Sequence, residues 1–236
     1  MTSSLSSKIL LSPSNSSDYP IGELVKYGTK MFGVCERGGA AGGGTFFEYN
    51  IALNVFDTIV HGGDNKYGWV PSGTPIQAIN GKLYGVTLRG GLFDQGVFFE
   101  YDPLQKKYSI KKHFGDSLFA GYPDRGPIQL NNGRIFGLIK GNNQGLPYRK
   151  GSIYEYDITS DSVILRASFD TSSVGKQPVG QLTEANGKLY GLASYGGSFN
   201  RGTIFEYDLI SNRVITNFHF LLLCVLNSVS ECSLQK

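Results

Sequence analysis

A phrase made of an aromatic-glycine pair, a double glycine (Gly-Asn in the third copy) and a closing Glu-Tyr-Asp (Glu-Tyr-Asn in the first) occurs four times in this chain at a nearly constant period. It reads TKMFGVCERGG and GTFFEYN (29–39, 44–50), GKLYGVTLRGG and GVFFEYD (81–91, 96–102), GRIFGLIKGN and GSIYEYD (133–142, 151–157), then GKLYGLASYGG and GTIFEYD (187–197, 202–208). The glycine after the aromatic falls at Gly33, Gly85, Gly137 and Gly191, in steps of 52, 52 and 54. The glutamate falls at Glu48, Glu100, Glu155 and Glu206, in steps of 52, 55 and 51. A fixed period of this size marks stacked units, none of which buries its apolar faces alone.

The fourth unit parses into four strands. Strand A is 179–185, closed by Asn186-Gly187, a pair that supplies the positive φ values of a type I′ hairpin turn. Strand B is 188–194 and ends at Gly196-Gly197; strand C is 203–208; strand D, after a polar LISN turn, is 213–220. The hairpin pair recurs at Asn80-Gly81 and Asn132-Gly133, with Gly28-Thr29 in the first unit. Four antiparallel strands per unit at this period predict an all-β propeller of four four-stranded blades, either a closed ring or an open part of a larger propeller. The expected blades are 20–71, 72–123, 124–177 and 178–220. A Ser-rich and poorly ordered segment over 1–19 precedes them, and a non-repeat tail over 221–236 follows.

Composition agrees with tight β architecture. Glycine is 32 of 236 residues, aromatic residues are 13% and charged residues only 17%, against a usual ~25% charged. A net charge of +3 without a clustered basic face argues against a nucleic-acid partner. The apolar run 218–226 is too short to span a bilayer as a helix, which takes ~20 residues. No secretory signal core is visible at the N-terminus. Three cysteines without metal-type spacing suggest neither a disulfide framework nor a zinc site, and Cys35, aligned with Thr87, Ile139 and Ala193, reads as a small packed thiol.

Strand alternation places Phe205 and Tyr207 on one face and Ile204 and Glu206 on the other. The four glutamates read as hydrogen-bond anchors tying blade loops, since four symmetric copies are not what a catalytic carboxylate requires. Asp102, Asp157, Asp208 and Asn50 suit Asx-type turns into strand D. The mid-strand glycines mark close approach, with a clash against the neighbouring blade expected for Gly85→Val. The three histidines, His61, His113 and His219, share one position on the outer strand, so they stand too far apart to share a metal ion.

The combination NGKLYGLAS, a double glycine and GTIFEYD, with the trailing pairs His113-Phe114, Ser168-Phe169 and His219-Phe220, resembles the Kelch-like propeller repeats of the choice-of-anchor tandem repeat GloVer-containing family. The resemblance covers residues 20 to 220 and implies a β-propeller, often on exported or surface proteins, without a particular activity. Unit three departs from it: Gly141-Asn142 replaces the double glycine, and Gly137 to Glu155 spans 18 residues against 15 elsewhere.

No nucleophile elbow, zinc-protease helix or phosphate loop is present, so no catalytic residue, metal or cofactor is expected. The B–C and D–A loops emerge on one face and differ between units. The D–A loops carry Tyr67, Trp69, Tyr122, Asp124 and Arg125; the B–C loops carry Arg89, Tyr148, Arg149, Tyr195 and Arg201. Aromatic residues beside arginine are the composition of interaction hot spots, which predicts a non-enzymatic module binding a protein or glycan. The alternatives are an enzyme on the same scaffold, copper-dependent or using a hydrolytic carboxylate, and a piece of a larger surface repeat protein.

Overall fold

The structure, a computed structural model, describes residues 17–63, 67–119, 121–141, 151–169 and 173–221; the expectations for residues 1–16 and 222–236 lie outside them. All regular elements among the described residues are strands. Blade one is β1 (Ser17–Tyr27), β2 (Lys30–Gly38), β3 (Thr45–Asn50) and β4 (Val55–His61); its first strand thus begins before residue 20. Blade two is β5 (Trp69–Gln77), β6 (Leu83–Arg89), β7 (Val97–Asp102) and β8 (Lys107–His113). Blade three is β9 (Ile128–Gln129), β10 (Ile135–Ile139), β11 (Ser152–Asp157) and β12 (Ser162–Ser168). Blade four is β13 (Lys176–Ala185), β14 (Lys188–Tyr195), β15 (Thr203–Asp208) and β16 (Arg213–His219). Each is a four-stranded antiparallel meander in chain order, the architecture of propeller blades.

Period-2 alternation gives every blade a forward and a backward face, and successive blades stack face to face. Phe32, Val34 and Phe46 of blade one meet Leu83 and Tyr101 of blade two, with the Phe46 and Tyr101 rings 5.3 Å apart. Tyr84, Val86 and Phe98 meet Ile135, Tyr154 and Tyr156, and Phe136, Leu138 and Phe169 meet Leu189, Phe205 and Tyr207. The cores therefore lie between blades, and each aromatic pair adds about 0.5–1.5 kcal/mol beyond its buried area.

Glycine in the middle of strand B serves an aromatic of the same blade. A Cβ on Gly85 would collide with the Phe99 ring directly across the β6–β7 ladder, and Gly33, Gly137 and Gly191 stand in the same relation to Phe47, Tyr154 and Phe205. The clash expected from the sequence is real, but the residue met belongs to the cross-strand neighbour and not to the next blade.

The hairpins divide into three kinds. In blade four Asn186 and Gly187 both have positive φ (52° and 72°), as type I′ requires. Blades two and three hold one more residue between strands. There Ala78 N–H reaches Lys82 O and Leu130 N–H reaches Arg134 O, Gly81 and Gly133 alone have positive φ, and the loop is of the three-residue bulged kind. Gly28, positive, followed by Thr29, matches type II′. The Asn-Gly pair thus marks a hairpin in each case but a type I′ turn only once.

One repeated device lies upstream of the phrase. Pro20, Pro71, Pro123 and Pro178 each occupy the same place in strand A or its approach, opposite Cys35, Thr87, Ile139 and Ala193. Each follows a residue with positive φ: Tyr19, Val70, Tyr122 and Gln177. That conformation is costly for non-glycine residues and worse before proline. At Val70, Tyr122 and Gln177 it is accompanied by contacts to the preceding blade. A Cβ on Gly44 would stand 2.6 Å from Pro71 Cδ and one on Gly96 2.8 Å from Pro123 Cδ, and Gly151 is covered by Pro178 in the same way. Alongside, Val70 N–H donates to Gly43 O (2.7 Å) and Tyr122 N–H to Gln95 O (2.8 Å).

Candidate functional site

The strand pairs Ser17–Gly38 and Thr45–His61 put the B–C and D–A connections at one end of each blade, so both loop sets share a face. The B–C loop has one design in blades one, two and four. Gly44 N–H returns to Gly38 O, Gly96 N–H to Gly90 O and Gly202 N–H to Gly196 O, at 3.0–3.1 Å. Inside it Gly42, Asp94 and Asn200 occupy the same left-handed position, with φ of 74°, 52° and 52°. Asp94 and Asn200 also accept the N–H of Gly90 and Gly196, both at 3.0 Å.

The histidines finish this loop. His61, His113 and His219 each accept, through Nδ1, the N–H of the residue after the double glycine: Ala40 at 3.2 Å, Leu92 at 3.2 Å and Ser198 at 3.1 Å. Burial, helped by Lys112, pushes the His113 pKa below its ordinary value, which keeps the ring neutral and accepting.

The glutamates sit nearer the opposite end and tie strands together. Glu100 accepts from Lys82 Nζ (2.9 Å) and Tyr84 Oη (2.7 Å); Glu155 accepts a two-pronged Arg134 and Arg166 Nε (2.7 Å); Glu206 accepts from Tyr190 Oη (3.0 Å) and Asn217 (3.2 Å). The sequence predicts anchors that tie blade loops; the glutamates are hydrogen-bond anchors, but their partners Tyr84, Arg166, Tyr190 and Asn217 lie on neighbouring strands of the same blade. Asp102, Asp157, Asp208 and Asn50 likewise accept backbone N–H groups two or three residues on.

Of the expected binding residues, Trp69, Arg89 and Tyr122 are brought together. Trp69, paired with Arg89 across β5 and β6, covers Gly90 and donates Nε1–H to Asp94 Oδ1 at 3.1 Å. Arg89 lies 3.6 Å from Asp94 Oδ2, and its guanidinium carbon is 4.9 Å from the Tyr122 ring centroid, across the boundary with blade three. A cation over an exposed ring gains about 0.5–1 kcal/mol, so the guanidinium is held but its outer edge still faces solvent. Phe93 and Leu92 stand exposed beside it on the same loop.

The others are dispersed. Tyr67 stacks edge-on against Tyr108 and lines a groove of about 640 Å³ between the outer strands of blades one and two. Asp124 accepts Ser72 Oγ on its carbonyl and Gly180 N–H on Oδ2 (2.9 Å), which makes it a tie between inner strands and not a loop-face ligand. Arg125 is exposed at a depression of about 200 Å³ among Gly22, Gly73, Gly126 and Gly180. Tyr195 and Arg201 are exposed on blade four, and Tyr148 and Arg149 lie outside the described residues.

Sequence reasoning missed Asp94. A lone acid in a variable loop reads as solvated, and its signal is positional: Gly42, Asp94 and Asn200 are all residue types that tolerate positive φ, four residues after the first glycine of the pair. Among the described residues no group of three or more His, Cys, Asp or Glu could hold a metal ion, and no helix is long and apolar enough to cross a membrane. Cys35 is free and buried, as expected, and burial raises its pKa.

Similarity to known proteins lies in the repeat and the fold. No curated protein matches the chain. Among solved structures, the extracellular domain of a putative one component system from B. thetaiotaomicron aligns with a TM-score of 0.58 at 9% identity, covering 84% of this chain and 22% of that one. A Mycobacterium tuberculosis puromycin-hydrolyzing peptidase aligns at 0.53 with 12% identity, covering 85% and 29%. TolB from Acinetobacter baumannii aligns at 0.48 with 12% identity, covering 80% and 40%. This chain therefore spans less than half the length of each. For the first two, at these identities, the likeness is one of fold. The sequence pattern goes further: residues 19–223 match the Gloeobacter/Verrucomicrobia repeat, and the chain, a β-rich repeat module, belongs to that family.

Proposed function

We propose that this chain is a non-enzymatic binding module that engages a protein partner through the loop face of blades two and three. The observation that carries the reading is the Trp69–Asp94–Arg89–Tyr122 cluster, in which one acid holds two residues of hot-spot type, Trp69 and Arg89, and the arginine in turn lies over the Tyr122 ring before any partner arrives. Fixing an arginine in advance lowers the ordering cost of binding, about 0.5–1.5 kcal/mol for a flexible side chain. The exposed Leu92 and Phe93 supply apolar area next to the charge, the mixture that interfaces concentrate. The repeated His, Glu and Asp side chains are occupied in holding the scaffold, which favours binding over catalysis.

The test is a comparison of the chain with its Arg89→Glu/Phe93→Ser double variant, both immobilised, on a glycan array and against proteins extracted from the source cells. A protein retained by the parent and lost by a variant of unchanged melting temperature supports the reading. Retention of the same proteins by both sinks it, a glycan lost by the variant transfers the site to carbohydrate, and turnover of an ester or peptide library overturns the non-enzymatic assignment.

A further inference from the structure

The three blade interfaces share a set of contacts whose two halves stand exposed on blades one and four. On the forward face of blade four, Leu192 is 47% exposed and Phe218 49%, and Phe220 is 39% exposed where its counterparts Phe114 and Phe169 are fully buried. Val86 and Leu138, the counterparts of Leu192, are 2% exposed under the next blade. On the backward face of blade one, Leu24 is 57% exposed, while Leu182, at the same place in blade four, is 4%. The proline device is split in the same way. Pro71, Pro123 and Pro178 are buried against Gly44, Gly96 and Gly151 of the preceding blade. Pro20 is exposed, and the three atoms nearest a Cβ on Gly202, the equivalent of those glycines, all belong to its own blade, although Gly202 is itself buried. In the single chain, then, blade one does not cover blade four.

We infer that the forward face of blade four binds the backward face of blade one in a second copy of this chain, head to tail. Leu24 of one copy would enter the patch formed by Leu192, Phe218 and Phe220 of the other, which brings Pro20 to the edge of the loop that holds Gly202. The warrant is continuity: the chain makes this interface three times within itself, and both unpaired surfaces keep the residue types of the paired ones. Two chains joined at both ends form a ring of eight blades, the upper end of the common propeller range of four to eight. Heterologous contacts of this kind close when the rotation permits. The inference is independent of the ligand cluster, which lies on blades two and three.

Light scattering on size-exclusion chromatography of the full chain at about 100 μM, with circular dichroism to confirm folding, tests it. The expected mass is twice that of the 25.7 kDa chain. Leu192→Glu/Phe218→Glu and Leu24→Glu should each run as folded species of lower order. Mixing the two should restore a one-to-one pair, because one intact forward face then meets one intact backward face. A monomeric parent chain overturns the inference. So does a dimer that survives both variants, which would place the contact elsewhere, or a monomer that dimerises only after removal of 222–236, which would make that segment the cover.

Discussion

The tip of the Phe99 ring covers the Cα of Gly85, so close that no side chain fits between them. Gly85 has ordinary strand geometry, and the constraint there is therefore packing and not backbone conformation. Gly85→Ala should destabilise by about 1–3 kcal/mol, the usual cost of overpacking. Phe99→Leu loses contacts on its own, yet it should reduce the added cost of Gly85→Ala. Urea unfolding of the two single variants and the double variant measures this; additive effects would show that the ring and the glycine are not coupled.

Tyr154 takes the same place in blade three, and its hydroxyl is buried with no hydrogen-bond partner among the described groups. Burial pushes its pKa upward, so the group is a neutral, unsatisfied phenol. An unpartnered buried polar atom costs about 1–3 kcal/mol, and Tyr154→Phe should recover part of that as a higher melting temperature. A lower melting temperature would reveal a partner for the hydroxyl.

Glu155 anchors three strands of blade three through Arg134 and Arg166. Burial raises its pKa, but the hydrogen bonds and charges of the two arginines outweigh burial and leave it below the ordinary carboxylate value of 4.5. The stabilisation it contributes is therefore present above pH 4.5 and is lost as pH falls through the folded-state pKa. Glu155→Gln should cost about 2–3 kcal/mol at pH 7, less than a fully buried pair because both arginines reach solvent. Unfolding curves from pH 7 to pH 3 should converge for the two proteins; a constant gap would contradict the assignment.

His113 has the opposite chemistry and a separate window. Its folded-state pKa lies below the ordinary 6.5, so above pH 6.5 both states are neutral and the bond to Leu92 N–H is intact. As pH falls through 6.5 the unfolded chain takes up the proton first, and stability declines until the folded pKa is reached. His113→Asn keeps an acceptor without a titrating ring and should flatten the melting-temperature profile between pH 7 and pH 5. An unaltered slope would remove His113 as its source.

What was legible in the sequence is what the chain writes locally. Strand C of the fourth unit, 203–208, coincides with β15, and the turn aspartates act as their position predicts, because alternation and Asx turns are set within a few residues. The prolines are equally periodic, at steps of 51, 52 and 55, but the place of Pro71, Pro123 and Pro178 is set by a glycine of the preceding blade. Asp124 shows the same limit. In a loop with Arg125 it reads as a ligand, and only the approach of β13 to that loop turns its carboxylate toward Gly180 N–H.

Asp94 gives the candidate site its own probe, since Trp69 is the only tryptophan of the chain. The indole is held by one bond to Asp94 Oδ1, and the same oxygen holds Gly90 N–H, so a single acid orders both the ring and the loop beneath it. Asp94→Ala should release both. The expected result is a red-shifted emission and faster acrylamide quenching, with a loss of about 1 kcal/mol in stability. Asp94→Asn should keep most of both properties, because Asn200 performs the backbone half of this role in blade four. Emission unchanged in the alanine variant would mean that the indole is positioned by packing on Gly90 alone, and the arrangement of Arg89 over Tyr122 would then have to form without the acid.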